Sequence, residues 1–234
     1  MKRSMNPRSI WKFTAMALVM AVGFTACNDD DDLQPLDREA EIGVLNLLTD
    51  VDAVNVHLDD EKINTSAIQA GVFSTYYTVD AGQNALTVFE AGETDTLASL
   101  SHDFKVNESF SAFILGDRDD ATLVIASDNL SAPAAGKAKI RFANFAADND
   151  GLELWAGAGE TALIDAVDYK SVESYVDVDP AEDVVLRVRG EGSDLVLAEL
   201  DDVTIQAGKI YTAYVVAEEV EGVETLVLRV FANK

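Results

Sequence analysis

The chain has 234 residues, of which 42 are Asp or Glu and 17 are Lys or Arg, so its formal net charge is -25, and 48% of its residues are apolar. That acidity argues against nucleic acid as a partner, because a phosphate backbone is held by Lys and Arg that displace counterions. The apolar share, with only 4 Pro, rules against a disordered polyelectrolyte, and the length allows one large or two small domains.

Lys2, Arg3, Arg8 and Lys12 precede an apolar run from Phe13 to Ala26, with no acidic residue before Asp29. This is the pattern of a secretory signal peptide over residues 1–26, and the run falls short of the about 20 residues that span a bilayer. It ends in Phe24-Thr25-Ala26-Cys27, which resembles a bacterial lipobox, where a signal peptidase cuts before a Cys whose thiol is then diacylated. Cys27 is the only Cys of the chain, so no internal disulfide can form. The resemblance implies that Cys27 is lipidated and anchors the protein in a membrane; two or three acyl chains, at roughly 0.8 kcal/mol per buried methylene, hold durably where one barely does.

Residues 27–40 read as an acidic, flexible tether. Asp29-Asp30-Asp31-Asp32 repel one another and cannot join a core. A Cys followed closely by Asp resembles the surface-export signal of Bacteroidetes lipoproteins, and similar tethers occur in other Gram-negative lipoproteins. Asn28 stands where an Asp would favour inner-membrane retention in enteric bacteria. The expectation is therefore the outer membrane, with the periplasmic face and the cell surface both open. Cleavage at Cys27 would deepen the net charge to -29, because residues 1–26 carry four basic and no acidic residues.

Beyond the tether the chain is written twice. Ile42 to Asp59 (IGVLNLLTDVDAVNVHLD) lies without gaps on Ile140 to Gly157 (IRFANFAADNDGLELWAG), with Ile42/Ile140, Asn46/Asn144, Asp50/Asp148 and Asp52/Asp150 identical. Phe110-Ser111-Ala112-Phe113-Ile114 then matches Tyr211-Thr212-Ala213-Tyr214-Val215, and Thr122-Leu123-Val124-Ile125 matches Thr225-Leu226-Val227-Leu228. Two units follow, residues 41–134 and 135–234, with the small-residue linker Ser131 to Gly136 between them. Val54, Val56 and Leu58 alternate with Asn55 and His57; Leu152 and Leu154 alternate with Glu153 and Trp155; Leu186 and Val188 alternate with Arg187 and Arg189. These are half-buried strands, punctuated by Gly, Asp and Asn turns. Only Ala67 to Tyr77 and Ala162 to Tyr175 leave room for a helical turn. The predicted class is all-β: two tandem antiparallel β-sandwich domains, Ig-like or transthyretin-like.

The opening of each unit, Val44-Leu45-Asn46-Leu47-Leu48-Thr49-Asp50-Val51-Asp52-Ala53-Val54-Asn55-Val56 and its twin from Phe142, resembles the V-x-N-x-x-P-D-A-x-x-V-D-V start of a bacterial domain of unknown function, DUF4397. Gly208-Lys209-Ile210-Tyr211-Thr212-Ala213 is similar to that family's a-G-x-x-Y-T segment. Thr49 and Ala147 stand in place of the family's Pro. The resemblance covers residues 41–233 and implies an exported β-rich domain, often in tandem, without an established catalytic site.

Chemistry-bearing patterns are sparse. The two His, His57 and His102, are read as surface residues, the first on the outer face of its strand and the second in a polar turn before Phe104; with no Cys beside them they do not make a zinc set. A G-x-S-x-G elbow is absent. Gly190-Glu191-Gly192-Ser193 reads as a hairpin turn, and Gly157-Ala158-Gly159-Glu160 lacks the strand-to-helix setting of a phosphate loop. Asp148-Asn149-Asp150-Gly151 has the look of a calcium turn but no Glu at the twelfth position, so Asx turns are the alternative and calcium is the one cofactor left open. Trp155 is either a packing residue or a contact for a partner or sugar, and of Tyr76 and Tyr77 at least one belongs to a core.

These features predict a non-enzymatic, lipid-anchored binding or structural module of the envelope, with no catalytic residue and an unknown protein or glycan partner. An accessory or catalytic component of extracellular polysaccharide processing is one alternative. A calcium-stiffened adhesive module is the other.

Overall fold

The computed structural model describes residues 38–159 and 161–234. The signal segment, Cys27 and most of the acidic tether lie outside them. In the first half of the described chain the strands are β1 (Glu39–Leu48), β2 (Ala53–Leu58), β3 (Glu61–Lys62), β4 (Ile68–Gln69), β5 (Tyr77–Asp80), β6 (Gly82–Glu90), β7 (Thr96–Phe104), β8 (Ser109–Gly116) and β9 (Thr122–Asp128). The second half repeats the series as β10 (Ala138–Phe145), β11 (Leu152–Ala156), β12 (Ile164–Val167), β13 (Ser171–Val172), β14 (Val176–Val178), β15 (Ala181–Gly190), β16 (Val196–Ile205), β17 (Ile210–Val220) and β18 (Val223–Ala232).

Each half is a sandwich of two sheets. In the first, β5-β1-β8-β9 faces β3-β2-β6-β7, with β4 also on β2; in the second, β13-β10-β17-β18, with β14 also on β10, faces β12-β11-β15-β16. The two opening strands of each half lie in opposite sheets. An Ig order would place them side by side in one sheet, so of the two expected arrangements the transthyretin-like one remains.

The pairing is not wholly antiparallel, which corrects one part of the expectation. β1 runs parallel to β8, with Ile42 opposite Phe110, and β10 runs parallel to β17, with Ile140 opposite Tyr211. A parallel neighbour needs a long crossover, and the chain supplies one by building the whole opposing sheet between the two strands. The segments expected to allow a helical turn hold β4, β12, β13 and loops instead, and the described residues contain no helix. No helix of the described residues is long and apolar enough to cross a membrane.

Burial explains which strands keep the period-two pattern. In β2, Val54, Val56 and Leu58 are buried and alternate with half-buried Asn55 and His57, because one face meets the core and the other meets water. In β8, six consecutive residues from Phe110 to Leu115 are buried. The cause is a third core. Ile42, Val44, Ala112 and Ile114 point into the first sandwich, while Leu45, Phe113 and Leu115 point the other way and pack with Ala143, Phe145, Tyr214 and Val216 of the second. The β1–β8 and β10–β17 sheets are thus covered on both faces, and their strands lose the clean alternation of β2. Phe113 meets Phe145 at 4.7 Å between ring centres, and Phe73 stacks on Phe231 at 4.2 Å. Residues 129–137 join the sandwiches and are pinned where the Lys139 ammonium donates to the Ser131 carbonyl at 2.9 Å.

Candidate functional site

The largest fully buried side chain is a charged one, Arg141, in the middle of β10. A guanidinium in an apolar interior is tolerated only with a counter-ion and a full set of acceptors. Both come mostly from the other sandwich. Arg141 Nη1 lies 2.7 Å from Asp128 Oδ1, at the end of β9, and neither side chain is more than 1% exposed. Arg141 Nη2 donates to Ser111 Oγ at 2.9 Å and Nε donates to Thr212 Oγ1 at 2.9 Å. The network then closes on itself. Ser111 and Tyr76 both donate to Asp128 Oδ2, at 2.6 and 2.5 Å, Thr212 donates to Asn233 Oδ1 at 2.6 Å, and Asn233 Nδ2 donates to the Tyr76 hydroxyl at 3.0 Å. The guanidinium also lies over the Tyr175 ring, 4.6 Å from its centre.

Burial, with the Asp128 carboxylate as the second cause, pushes the Tyr76 hydroxyl far above its ordinary range. Tyr175 is pushed up as well, by burial first. Both tyrosines therefore stay neutral at physiological pH, with Tyr76 donating to Asp128 and the Tyr175 hydroxyl buried without a hydrogen-bond partner. The members of the network come from both sandwiches, so the cluster ties the two together. Sequence pattern did not reveal it, because its members are scattered along the chain. One signal was present: in the ungapped repeat alignment Gly43 falls on Arg141, a residue without a side chain against one with the longest.

The duplicated polar residues serve the fold. Asn46 and Asn144 are fully buried at equivalent ends of β1 and β10. Asn144 Nδ2 donates to the carbonyls of Asn149 at 2.5 Å and Val167 at 2.9 Å, while its Oδ1 accepts from the Ala146 amide at 3.0 Å. Val167 belongs to the opposing sheet, so one side chain ties the two layers of the sandwich together. Asn46 repeats the arrangement with longer bonds, to the carbonyls of Val51 at 3.4 Å and Ile68 at 3.5 Å. Asp50 accepts from the Arg118 amide and Asp150 from the Tyr169 amide, at 2.8 and 2.9 Å, and Asp148 takes a left-handed turn conformation with φ of 59°. Among the described residues no group of three His, Cys, Asp or Glu side chains is placed to hold a metal ion.

Trp155 is half-buried on the outer face of β11. Its indole donates to Glu153 Oε2 at 2.9 Å, and the Arg189 guanidinium covers its ring at 4.4 Å. His57 sits on the outer face of β2 against Phe89. His102 is not in a turn: it lies inside β7, with ring contacts to Phe104 at 4.9 Å and Phe110 at 5.2 Å. Tyr77 packs on the first core and Tyr76 belongs to the buried network. Two clefts are an acidic one of about 800 Å³ around Asp59, Glu61 and Asp80 and a groove of about 690 Å³ between Gly71 and Arg229, whose guanidinium is paired with Glu218.

Burial depresses the His102 pKa below its usual value of 6.5. A folded value below the unfolded one means that the unfolded chain binds more protons in that window, so folding loses stability as the pH falls through it. The drop in urea midpoint from about pH 8 to about pH 5 is expected to be smaller in a His102→Asn variant than in the parent. Equal drops would remove His102 from the acid response.

No curated protein matches the chain in sequence. Among solved structures, a carbohydrate-binding module of family 26 from Eubacterium rectale, crystallised with maltoheptaose, is similar at 12% identity and a TM-score of 0.27, over 82% of this chain and 96% of that one. A candidate cell adhesion protein from Bacteroides uniformis gives 12% and 0.26 over 86% and 100%, and a candidate adhesin from Bacteroides ovatus gives 8% and 0.25 over 82% and 92%. Likenesses this distant transfer no property to any residue here. A family model matches once, over a shorter span than the resemblance across 41–233. Residues 40–155, from the second residue of β1 through the tryptophan of β11, match the domain of unknown function DUF4397.

Proposed function

We propose that the protein is a non-enzymatic structural or binding module of the cell envelope, anchored at the outer membrane by acyl groups on Cys27. The observation that carries the reading is where the polar residues point. The buried ion pair joins the two sandwiches and the duplicated asparagines tie the sheets within each, so these polar groups are turned inward. What faces outward is an acidic surface of loops and sheet exteriors, which suits a solvated position outside the cell and contacts made by shape and loop chemistry. The tether of residues 27–40 gives the sandwiches reach from the membrane.

The polysaccharide reading rests on Trp155. Its ring is already covered by Arg189 and its indole N–H is engaged by Glu153, so a sugar would have to displace a stacked guanidinium. Calcium stiffening has less support, since Asp50 and Asp150 already accept backbone amides.

Replacing Cys27 with Ala is expected to abolish acyl labelling and to move the protein from the membrane fraction to the soluble one. Retention of both would remove the anchor. Trp155 fluorescence is expected to stay flat across a panel of soluble glycans, and saturable quenching by one of them would shift preference to the polysaccharide reading.

A further inference from the structure

The two sandwiches meet through equivalent faces, and strand register fixes which residues correspond. Gly43 lies opposite Ser111 as Arg141 lies opposite Thr212. Leu45 bridges Phe73 as Ala143 pairs with Val172. Asp128 lies opposite Ser109 at the start of β8, and Asn233 bonds to Ile210 at the start of β17. The shared hydroxyls, Ser111 and Thr212, are alike, whereas three pairs are not: Gly43/Arg141, Phe73/Val172 and Asp128/Asn233.

The differences are matched to one another. A Cβ at Gly43 would collide with the Phe73 ring, so the first repeat has no room for an arginine there. The second repeat has the smaller Val172 and places its guanidinium at the equivalent point. Asp128, the counter-ion, is supplied by the first repeat alone, where the second has neutral Asn233.

We propose that this asymmetry is a pairing code. The outer face of the β1–β8 sheet accepts the β10–β17 face and rejects another copy of itself. Two first-repeat faces would bury two Asp128 carboxylates with no guanidinium, and two second-repeat faces would bury two Arg141 with no carboxylate. A buried charge without its partner is strongly unfavourable. Because every chain carries one face of each kind, like-with-like pairing would link chain to chain without closure. The code blocks like-with-like association, and the short connection of residues 129–137 puts the unlike face of the same chain at the highest effective concentration. It applies whatever the module binds.

The test uses the full described body with a protease site inserted between Ala134 and Ala135 and cut after folding. Native mass spectrometry is expected to find the halves together as one unlike pair. After unfolding, mixing with an isotope-labelled copy and refolding, more than about nine-tenths of the pairs should be unlike, since a tenfold preference needs only a small free-energy difference. Separation of the halves on cutting, or a statistical mixture after refolding, would overturn the proposal. Two single variants assign the code. Asp128→Asn should admit pairs of first repeats and no pairs of second repeats, and Arg141→Met should do the reverse. Unlike pairs only, in both variants, would mean that Asp128 and Arg141 do not carry the selection. Should either variant fail to refold, the parent's pairing and the other variant still decide.

Discussion

Replacing Arg141 with Met is expected to lower the unfolding free energy of the protein by about 3–5 kcal/mol, the usual cost of removing one partner from a buried pair. The size follows from what is left behind. Asp128 Oδ2 would keep the hydroxyls of Ser111 and Tyr76, but Oδ1 makes no hydrogen bond beyond its ion pair with Arg141 and would be left buried without a counter-ion. Changing both residues, Arg141→Met with Asp128→Asn, removes the charges together and keeps the volumes close. The double variant should return to within about 1.5 kcal/mol of the parent, as volume-conserving core changes do. Urea unfolding of the three proteins decides between charge and packing. If the double variant is as unstable as the single one, the loss comes from packing around β10 and not from an orphaned carboxylate.

The second large effect belongs to the buried asparagines, and it should differ between the repeats. Asn144→Ala strands the Val167 carbonyl and the Ala146 amide in the core and the Asn149 carbonyl in a part-buried turn, and each buried group left unpaired costs about 1–3 kcal/mol. A loss of about 3 kcal/mol is expected. Asn46→Ala breaks the 3.1 Å bond from the Leu48 amide and two bonds of 3.4 and 3.5 Å that lie beyond the usual range of about 2.7–3.2 Å, and should cost about half as much. Hydrogen exchange adds a local check: the Ala146 amide should lose protection in the first variant and the Leu48 amide in the second. Equal losses in both repeats would mean that the amides act as space fillers.

The single-faced strands were legible in the sequence for a physical reason. A strand with water on one side must alternate, and Val54-Asn55-Val56-His57-Leu58 and Leu152-Glu153-Leu154 do so in both sequence and structure. The duplication was legible because small insertions fall between apolar segments. The strand order was not, since nothing in β1 announces that its neighbour is β8. The double burial of β1, β8, β10 and β17 was visible only as apolar runs without period, a pattern that a buried helix would also give. Ser101, His102 and Asp103 are polar and read as a turn, whereas β7 has a largely exposed face that takes polar residues without breaking. Arg141 and Asp128 were invisible as a pair: charge in a sequence says nothing of burial, and their meeting depends on two sheets packing across a joint.

The parallel pairing of β1 with β8 also sets an order of events during synthesis. A chain made from its N-terminus can complete the first sandwich once β8 and β9 exist, while β17, whose Thr212 lies 71 residues beyond Arg141, is still to come. During that interval the face of Leu45, Phe113 and Leu115 is finished and uncovered, which makes the half-made protein a sticky one. Asp128 sits beside that face. Until the second sandwich docks, Asp128 has the hydroxyls of Ser111 and Tyr76 but not its counter-ion Arg141. A carboxylate that is buried in the finished protein thus stands, in the unfinished one, as a charge at the margin of an uncovered apolar face, where charge opposes aggregation.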